Sequence, residues 1–384
     1  MNGKRNPNPY KDVDWSKAYQ IRSTTHMHCT NGKTMQRYVD MGLELAMFSN
    51  YYPSAPYYPM KSICENTFKR KQNGYIRDGV WHHEPVDLAG MIDSWKSELE
   101  PEEQAQIPAE DGAPSFPEIP EHLLEAPNAE HHWFSDASVY LHITAPGSLA
   151  TSGSFDIQGK FGVREKGGIP LGAPIPWRKG FEEIFHQLLI PDGGGIVIAH
   201  PTWSHHPLTF LEEMLDSDPR VLGIEVYNHN SLEDFSDFSD SLWDAILSTN
   251  RQCYGFFVQD HPSFTHPVLA NQWRGKIMIL AEDRTAESCL RALRQGRFYG
   301  LITDNGLRFE DISYDGRYLR AKCNKKVGFQ IISKIGVVGD VITGTEFCLE
   351  IPEEDKEKYV FLRVTARDRW DEKLFSNAFM LLQN

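Results

Sequence analysis

The residues with the most chemical potential begin at His26-Met27-His28. In an extended segment, side chains two positions apart project from the same face, so both imidazoles can reach one ion from a rigid support. An isolated pair of this kind is a weak signal, because two hydrogen-bonded or solvent-facing histidines look the same. Its company strengthens it. Glu130 precedes His131 and His132, His142 sits in the β-prone run 139–144, His200 stands between Ala199 and Pro201, and Asp260-His261 follows the apolar run 255–258. Imidazole and carboxylate together suit divalent Zn, Mn or Fe, and a carboxylate such as Glu130 can bridge two ions. The adjacent pairs His82-His83, His131-His132 and His205-His206 are less telling. Neighbours on a strand point opposite ways, so at most one of each pair faces a site, and a surface or hydrogen-bonded role is the default expectation.

The elements that must position these groups alternate in type. Strand-like runs at 22–25, 195–199, 222–227 and 254–258 end directly before His26, at or before His200, before Asn228 and just before Asp260. Helix-like runs at 33–41, 181–189, 208–215, 241–248 and 286–294 fall between and after them, the pattern of a parallel α/β core. In such cores the carboxyl ends of the strands converge, and ligands bind there. The alternation breaks over about 57–127, read as an insertion or lid with a helical candidate at 85–99 and an acidic, proline-containing loop at 100–120. From about Leu307 the chain turns to short β-rich runs (327–332, 359–365, 378–382) separated by Tyr314-Asp315-Gly316 and Gly339-Asp340 turn signals. That predicts a small antiparallel β domain. The charged stretch 353–358 reads as a solvated loop, and the aromatic run 51–59 as either a stacking wall for substrate or a proline-stiffened loop.

Composition narrows the function. The 384 residues carry 39 Lys and Arg against 53 Asp and Glu, a net charge of -14 that repels phosphate backbones and anionic lipid. General nucleic-acid binding and a membrane-surface role are therefore not expected. The six cysteines lie at least 25 residues apart, which excludes a zinc knuckle or a C-x-x-C redox motif and suits a reducing compartment. The polar N-terminal stretch lacks a signal-peptide core, and no apolar run approaches the roughly 18 residues of a membrane span. A cytoplasmic protein is the expectation.

In order and context these motifs resemble the PHP (polymerase and histidinol phosphatase) metal-dependent hydrolases, in the branch where a small β domain follows the core. The family's opening H-x-H is similar to His26 and His28, its bridging glutamate to Glu130, and the next histidine to His142. Its A-H-P motif matches Ala199-His200-Pro201, its late aspartate and histidine resemble Asp260 and His261, and its I-E-x-Y-N segment matches 224–228. Gly296-Arg297-Phe298-Tyr299 resembles the segment where that branch leaves its core. The resemblance spans about 16–300 outside the insertion, and the tail more loosely. It departs at the second motif, where T-D-H is replaced by Ser49-Asn50-Tyr51, at Asn31 in place of an aspartate, and at the direct adjacency of Asp260 and His261. Amides are neutral, weak metal ligands, so one of the family's up to three metals is expected to have lost its anchors.

The resemblance implies a distorted, seven-stranded TIM-like (β/α) barrel over 16–300 and a small C-terminal antiparallel β domain over 301–384. It implies a phosphoesterase in which two divalent ions (Zn, Mn or Fe) share a hydroxide. Glu130 would bridge them, His26, His28 and Asp260 would hold one, and His142 and His200 the other, with His261 a further candidate ligand less secure than Asp260. Tyr51 is a candidate proton donor to the leaving group, and Asn50 and Asn228 are candidates to orient a small, phosphorylated substrate. Two alternatives stay open: amide or ester hydrolysis by the same hydroxide, and a non-catalytic ligand-binding protein with a degenerate site.

Overall fold

The structure, a computed structural model, describes residues 5–29, 32–49, 75–77, 80–82, 120–132, 134–138, 140–148, 176–229, 238–260, 275–302 and 305–382. The helical candidate at 85–99, the aromatic run 51–59, Asn31, Asn50, Tyr51, Cys64 and His261 lie outside the described residues.

The expected seven-stranded TIM-like barrel is not what the chain builds. The described strands sort into an 11-stranded sheet, a five-stranded sheet and the hairpin Tyr75–Arg77 with Val80–His82, and none closes into a barrel. Alternating strands and helices do not fix strand direction, and direction is where the expectation failed. Strand Tyr19–Ser23 pairs antiparallel with Gly275–Ala281, in register Tyr19 to Ala281, where a barrel of this type needs parallel neighbours. Strand His142–Thr144 likewise runs antiparallel to both Glu130–His132 and Ile196–Ile198.

The chain divides into two compact units, 25–199 and a second made of 1–24 with 200–384. In the first, Leu45–Ala46 pairs in parallel with Leu124–Glu125, and the strands Glu130–His132, His142–Thr144 and Ile196–Ile198 form an antiparallel meander. Helix Gly32–Asp40 is stopped by Gly42, whose φ of 72° is the left-handed conformation that favours glycine at a helix end. Helix Trp177–His186 buries Phe181, Ile184 and Phe185, spaced three and one apart so that they fall on one face.

The second unit carries a long antiparallel arrangement. Gly275–Ala281 pairs with Phe298–Ile302, that strand with Lys373–Ser376, and the next with Phe361–Arg367. Phe361–Arg367 then pairs with Tyr318–Ser333, which also pairs with Phe309–Tyr314 and Gly336–Glu350. Its buried face, including Phe309, Leu319, Phe329, Leu362 and Leu374, packs with Tyr10 into one cluster. Alongside this runs the parallel pair Val221–Asn228 and Tyr254–Val258, every residue of which is buried, as expected of parallel strands covered on both faces. Gly255 is needed there because a Cβ would lie 2.6 Å from the Trp243 ring.

Helix Ala286–Arg294 shows how local chemistry sets an element. Thr285 accepts a hydrogen bond from the Ser288 N–H, Glu287 sits in the first turn, and Arg291 and Arg294 sit in the last, each complementing the helix dipole. Helix Asp240–Ser248 is tied to strand Phe361–Arg367 by Arg363, whose Nε and Nη2 donate to the two Asp244 oxygens at 2.7 Å each. The N-terminal stretch is anchored by Arg5. Its guanidinium donates to the backbone oxygens of Leu215 (2.8 Å), Val221 (2.9 Å) and Gln252 (2.5 Å), the first of which lies in the last turn of helix Leu208–Ser217. Among the described residues no helix is long and apolar enough to cross a membrane, and no cysteine is in a disulfide.

Candidate metal centre

The opening pair of histidines owes its placement to Ser49 and Asn128. Ser49 exchanges backbone hydrogen bonds with its neighbours, donating its N–H to Met27 O at 2.9 Å and accepting the Glu130 N–H at 3.0 Å. Its hydroxyl also accepts the Met27 N–H at 2.9 Å, so Met27 is pinned at both backbone atoms with its side chain in the core. Alternation about Met27 then sends His26 and His28 to the other face together. Asn128 completes the clamp, its amide donating to Thr25 O at 2.8 Å and Met47 O at 3.0 Å while its oxygen accepts the Ala145 N–H at 3.0 Å. His142 is held from its backbone oxygen, which accepts the Ala199 N–H at 3.0 Å.

These clamps bring four predicted ligands of the first unit together. Glu130 is 1% exposed, and its two oxygens face different imidazoles. Oε2 lies 3.0 Å from His26 Nε2 and 3.0 Å from His28 Nε2, while Oε1 lies 2.8 Å from His142 Nδ1. His26 Nε2 and His28 Nε2 are 3.2 Å apart. All three histidines are buried.

The donor set fits a divalent cation. His26 Nε2, His28 Nε2 and Glu130 Oε2 form a triangle with edges of 3.0, 3.0 and 3.2 Å. Protons alone serve this triangle poorly. Two imidazoles can each donate one proton to the carboxylate, but the nitrogen–nitrogen edge then brings two protonated nitrogens together, or leaves one contact unmade. A cation instead uses all three lone pairs. Ligand atoms about 2.0–2.2 Å from zinc and set at octahedral or tetrahedral angles lie about 3.0–3.5 Å from one another, the separation seen here. A buried carboxylate also needs compensating charge, which a cation supplies. The cluster is compatible with metal binding.

The second unit holds a buried polar cluster of its own. Glu225 Oε2 accepts the His200 N–H at 2.8 Å and the Asn228 Nδ2 at 2.8 Å, and the same Nδ2 donates to Asp260 Oδ2 at 2.9 Å. His200 Nδ1 lies 3.0 Å from Ser204 Oγ. His200 and Asp260, each just past a strand, have φ of 27° and 59°. Non-glycine residues in that left-handed region are uncommon, and they concentrate at functional sites.

Of the predicted site residues, the structure gathers His26, His28, Glu130 and His142 in one unit and His200, Asn228 and Asp260 in the other. Asn228 joins Glu225 to Asp260. Glu225 stands in the 224–228 segment that the sequence singled out but was given no role there, although a carboxylate in the middle of strand Val221–Asn228, 1% exposed, is a signal in itself. Of the adjacent histidines, His131 and His206 are buried.

No protein-family model matches the sequence, and neither does any curated protein. Among solved structures, the chain is similar to a two-domain protein from Bacteroides vulgatus containing a predicted PHP-like metal-dependent phosphoesterase. The two share 13% identity at a TM-score of 0.42, over 91% of this chain and 90% of that one. A likeness this distant carries no chemistry across.

Proposed function

We propose that this protein is a metal-dependent hydrolase acting on a small phosphoester. The observation that carries the reading is the buried Glu130 carboxylate, which turns Oε2 to His26 and His28 and Oε1 to His142. A carboxylate divided between two sets of imidazoles has the form of a ligand that bridges two cations. Bound divalent ions would supply Lewis acidity, lowering the pKa of water and polarising the attacked group.

The chain's own part is positional. Ser49 and Asn128 fix the histidines before any ligand arrives, so little reorganisation is left for binding. Glu130 and the imidazoles supply the anionic and neutral donors without needing a side-chain nucleophile. We extend the ligand set, as part of the proposal, to His200, Asp260 and His261, with Asn228 orienting Asp260. Metal content of the His200→Ala and Asp260→Asn variants tests that extension. Asn50 and Tyr51 are proposed as substrate contacts on the sequence motif alone, and the preference for phosphorus over carbon rests on the order of the motifs.

The test is turnover of p-nitrophenyl phosphate beside p-nitrophenyl acetate by protein reconstituted with Zn, Mn or Fe. The proposal expects metal-dependent phosphate release that Glu130→Gln abolishes. Metal-dependent cleavage of the acetate alone would move the protein to ester chemistry, and a metal-bound protein inert to both would be a binding protein.

A further inference from the structure

The outer face of the C-terminal strands carries a second, unrelated feature: an open groove of about 1060 Å³. It lies just above the roughly 300–1,000 Å³ typical of small-molecule sites. Its floor follows from strand alternation. Val327, Phe329 and Ile331 point into the core, so Lys326, Gly328 and Gln330 face the groove. Gly328 pairs with Thr343 on one side and Arg367 on the other, which puts the three on one row of the same face. The middle position of that row has no side chain. A Cβ at Gly328 would meet Val341 Cγ1 at 2.9 Å, so the glycine makes room for the Val341 side chain, an apolar patch on the groove floor between a hydroxyl and a guanidinium.

Aromatic and cationic groups complete the groove lining. Trp370 is 66% exposed, unusual for the largest apolar side chain, and Arg369 Cζ lies 4.7 Å from its ring centroid. The loop bearing them is braced by Asp368, which accepts the N–H groups of Trp370 (2.7 Å) and Glu372 (3.1 Å) and the Asn305 amide (2.9 Å). Arg367 meets Asp371 at 2.7 Å, but both are more than half exposed, so the pair can open for a ligand anion at little cost. With Lys325 and Lys326 the lining holds four cations against Asp368 and Glu372, a locally positive groove on a chain of net charge -14.

We infer that this groove binds an acidic saccharide. An exposed indole offers a flat apolar face for a sugar ring, and Val341, seated over Gly328, adds an apolar contact between polar groups. Gln330 and Thr343 offer both donors and acceptors for hydroxyls, and the Lys and Arg side chains match a carboxylate or sulfate. Single-stranded nucleic acid also uses aromatics and cations. Single-strand binders stack successive bases on several aromatics, whereas Trp370 is the one aromatic among the described residues lining this groove, which decides for the saccharide.

Titration calorimetry of the full-length protein with tetragalacturonate, maltotetraose and a short deoxyoligonucleotide tests this. The uronate is expected to bind, the neutral glucose tetramer about tenfold more weakly or worse, and added salt to weaken the uronate alone. Trp370→Ala and Lys326→Glu, both at exposed positions, are each expected to lower uronate affinity about tenfold with an unchanged circular dichroism spectrum. No heat from the uronate at millimolar concentration, unaltered affinity in both variants, or tighter binding of the oligonucleotide would each overturn the inference.

Discussion

Replacing Glu130 with Gln separates a metal ligand from a structural hydrogen-bond hub. The three contacts of the carboxylate, at 3.0, 3.0 and 2.8 Å, can all survive the change. The amide oxygen can take the place facing His26 and His28, and the amide N–H₂ can donate to His142 Nδ1. Each bond falls from charge-assisted to neutral strength, a loss of about 1 kcal/mol apiece and about 3 kcal/mol in all. The variant no longer buries an anion, which returns a desolvation cost of several kcal/mol. Metal-free stability should therefore move by no more than about 2 kcal/mol in urea denaturation. Metal affinity should move far more. Loss of an outer-shell partner costs about 10–100-fold, and loss of the anionic inner ligand should exceed that, so at least about 100-fold, or 2.7 kcal/mol, is expected. Competition against a chromogenic chelator reads it. A change under about threefold would refute the ligand role, and collapse of the metal-free fold would make Glu130 a structural hub instead.

Three further outcomes follow. Ser49→Ala removes the acceptor of the Met27 N–H and should cost about 1–3 kcal/mol; it should also weaken metal binding, because His26 and His28 lose their register, and normal affinity in the variant would separate Ser49 from the site. Arg5→Ala strips hydrogen bonds from four backbone oxygens, those of Leu215, Asp218, Val221 and Gln252, and should destabilise by about 2–4 kcal/mol, read from the urea midpoint at unchanged m-value. Burial raises the Asp218 carboxyl, but hydrogen bonds from the Arg220 side chain and N–H outweigh it and hold the group below its ordinary value. A carboxyl depressed in the folded state stabilises above its unfolded pKa, and that contribution fades as pH falls through the folded value. The cost of Asp218→Asn should thus be present at neutral pH and shrink below about pH 4, and a cost independent of pH would contradict it.

Much of the local structure was legible in the sequence. The run at 254–258 and the helix at 286–294 coincide with Tyr254–Val258 and Ala286–Arg294, because a compact apolar run and a capped amphipathic segment are each specified by their own residues. Tyr314-Asp315-Gly316 marks a real hairpin turn, with Gly316 at φ 98°. Gly339-Asp340 does not. It falls inside strand Gly336–Glu350, where Gly339 takes φ 68°, and the chain turns earlier, at Lys334 and Ile335, just before Gly336 with φ 89°. The stretch 353–358 forms short helical turns in place of a loop. What sequence could not supply was strand direction, since pairing such as Tyr19 with Ala281 joins segments some 260 residues apart through long-range packing. Residue types and spacing singled out His26, His28, Glu130 and His142, which the fold brings together, whereas Glu225 was noted only as part of the 224–228 segment and given no role. Ser49 looked like the remnant of an altered motif, and its role in pinning Met27 emerges only from the fold.

The most direct measurement is the metal content of the purified protein after loading with Zn, Mn or Fe and removal of excess, by inductively coupled plasma mass spectrometry. About two ions per chain, falling in Glu130→Gln, is the predicted result. A content near zero in the wild-type protein would contradict the account.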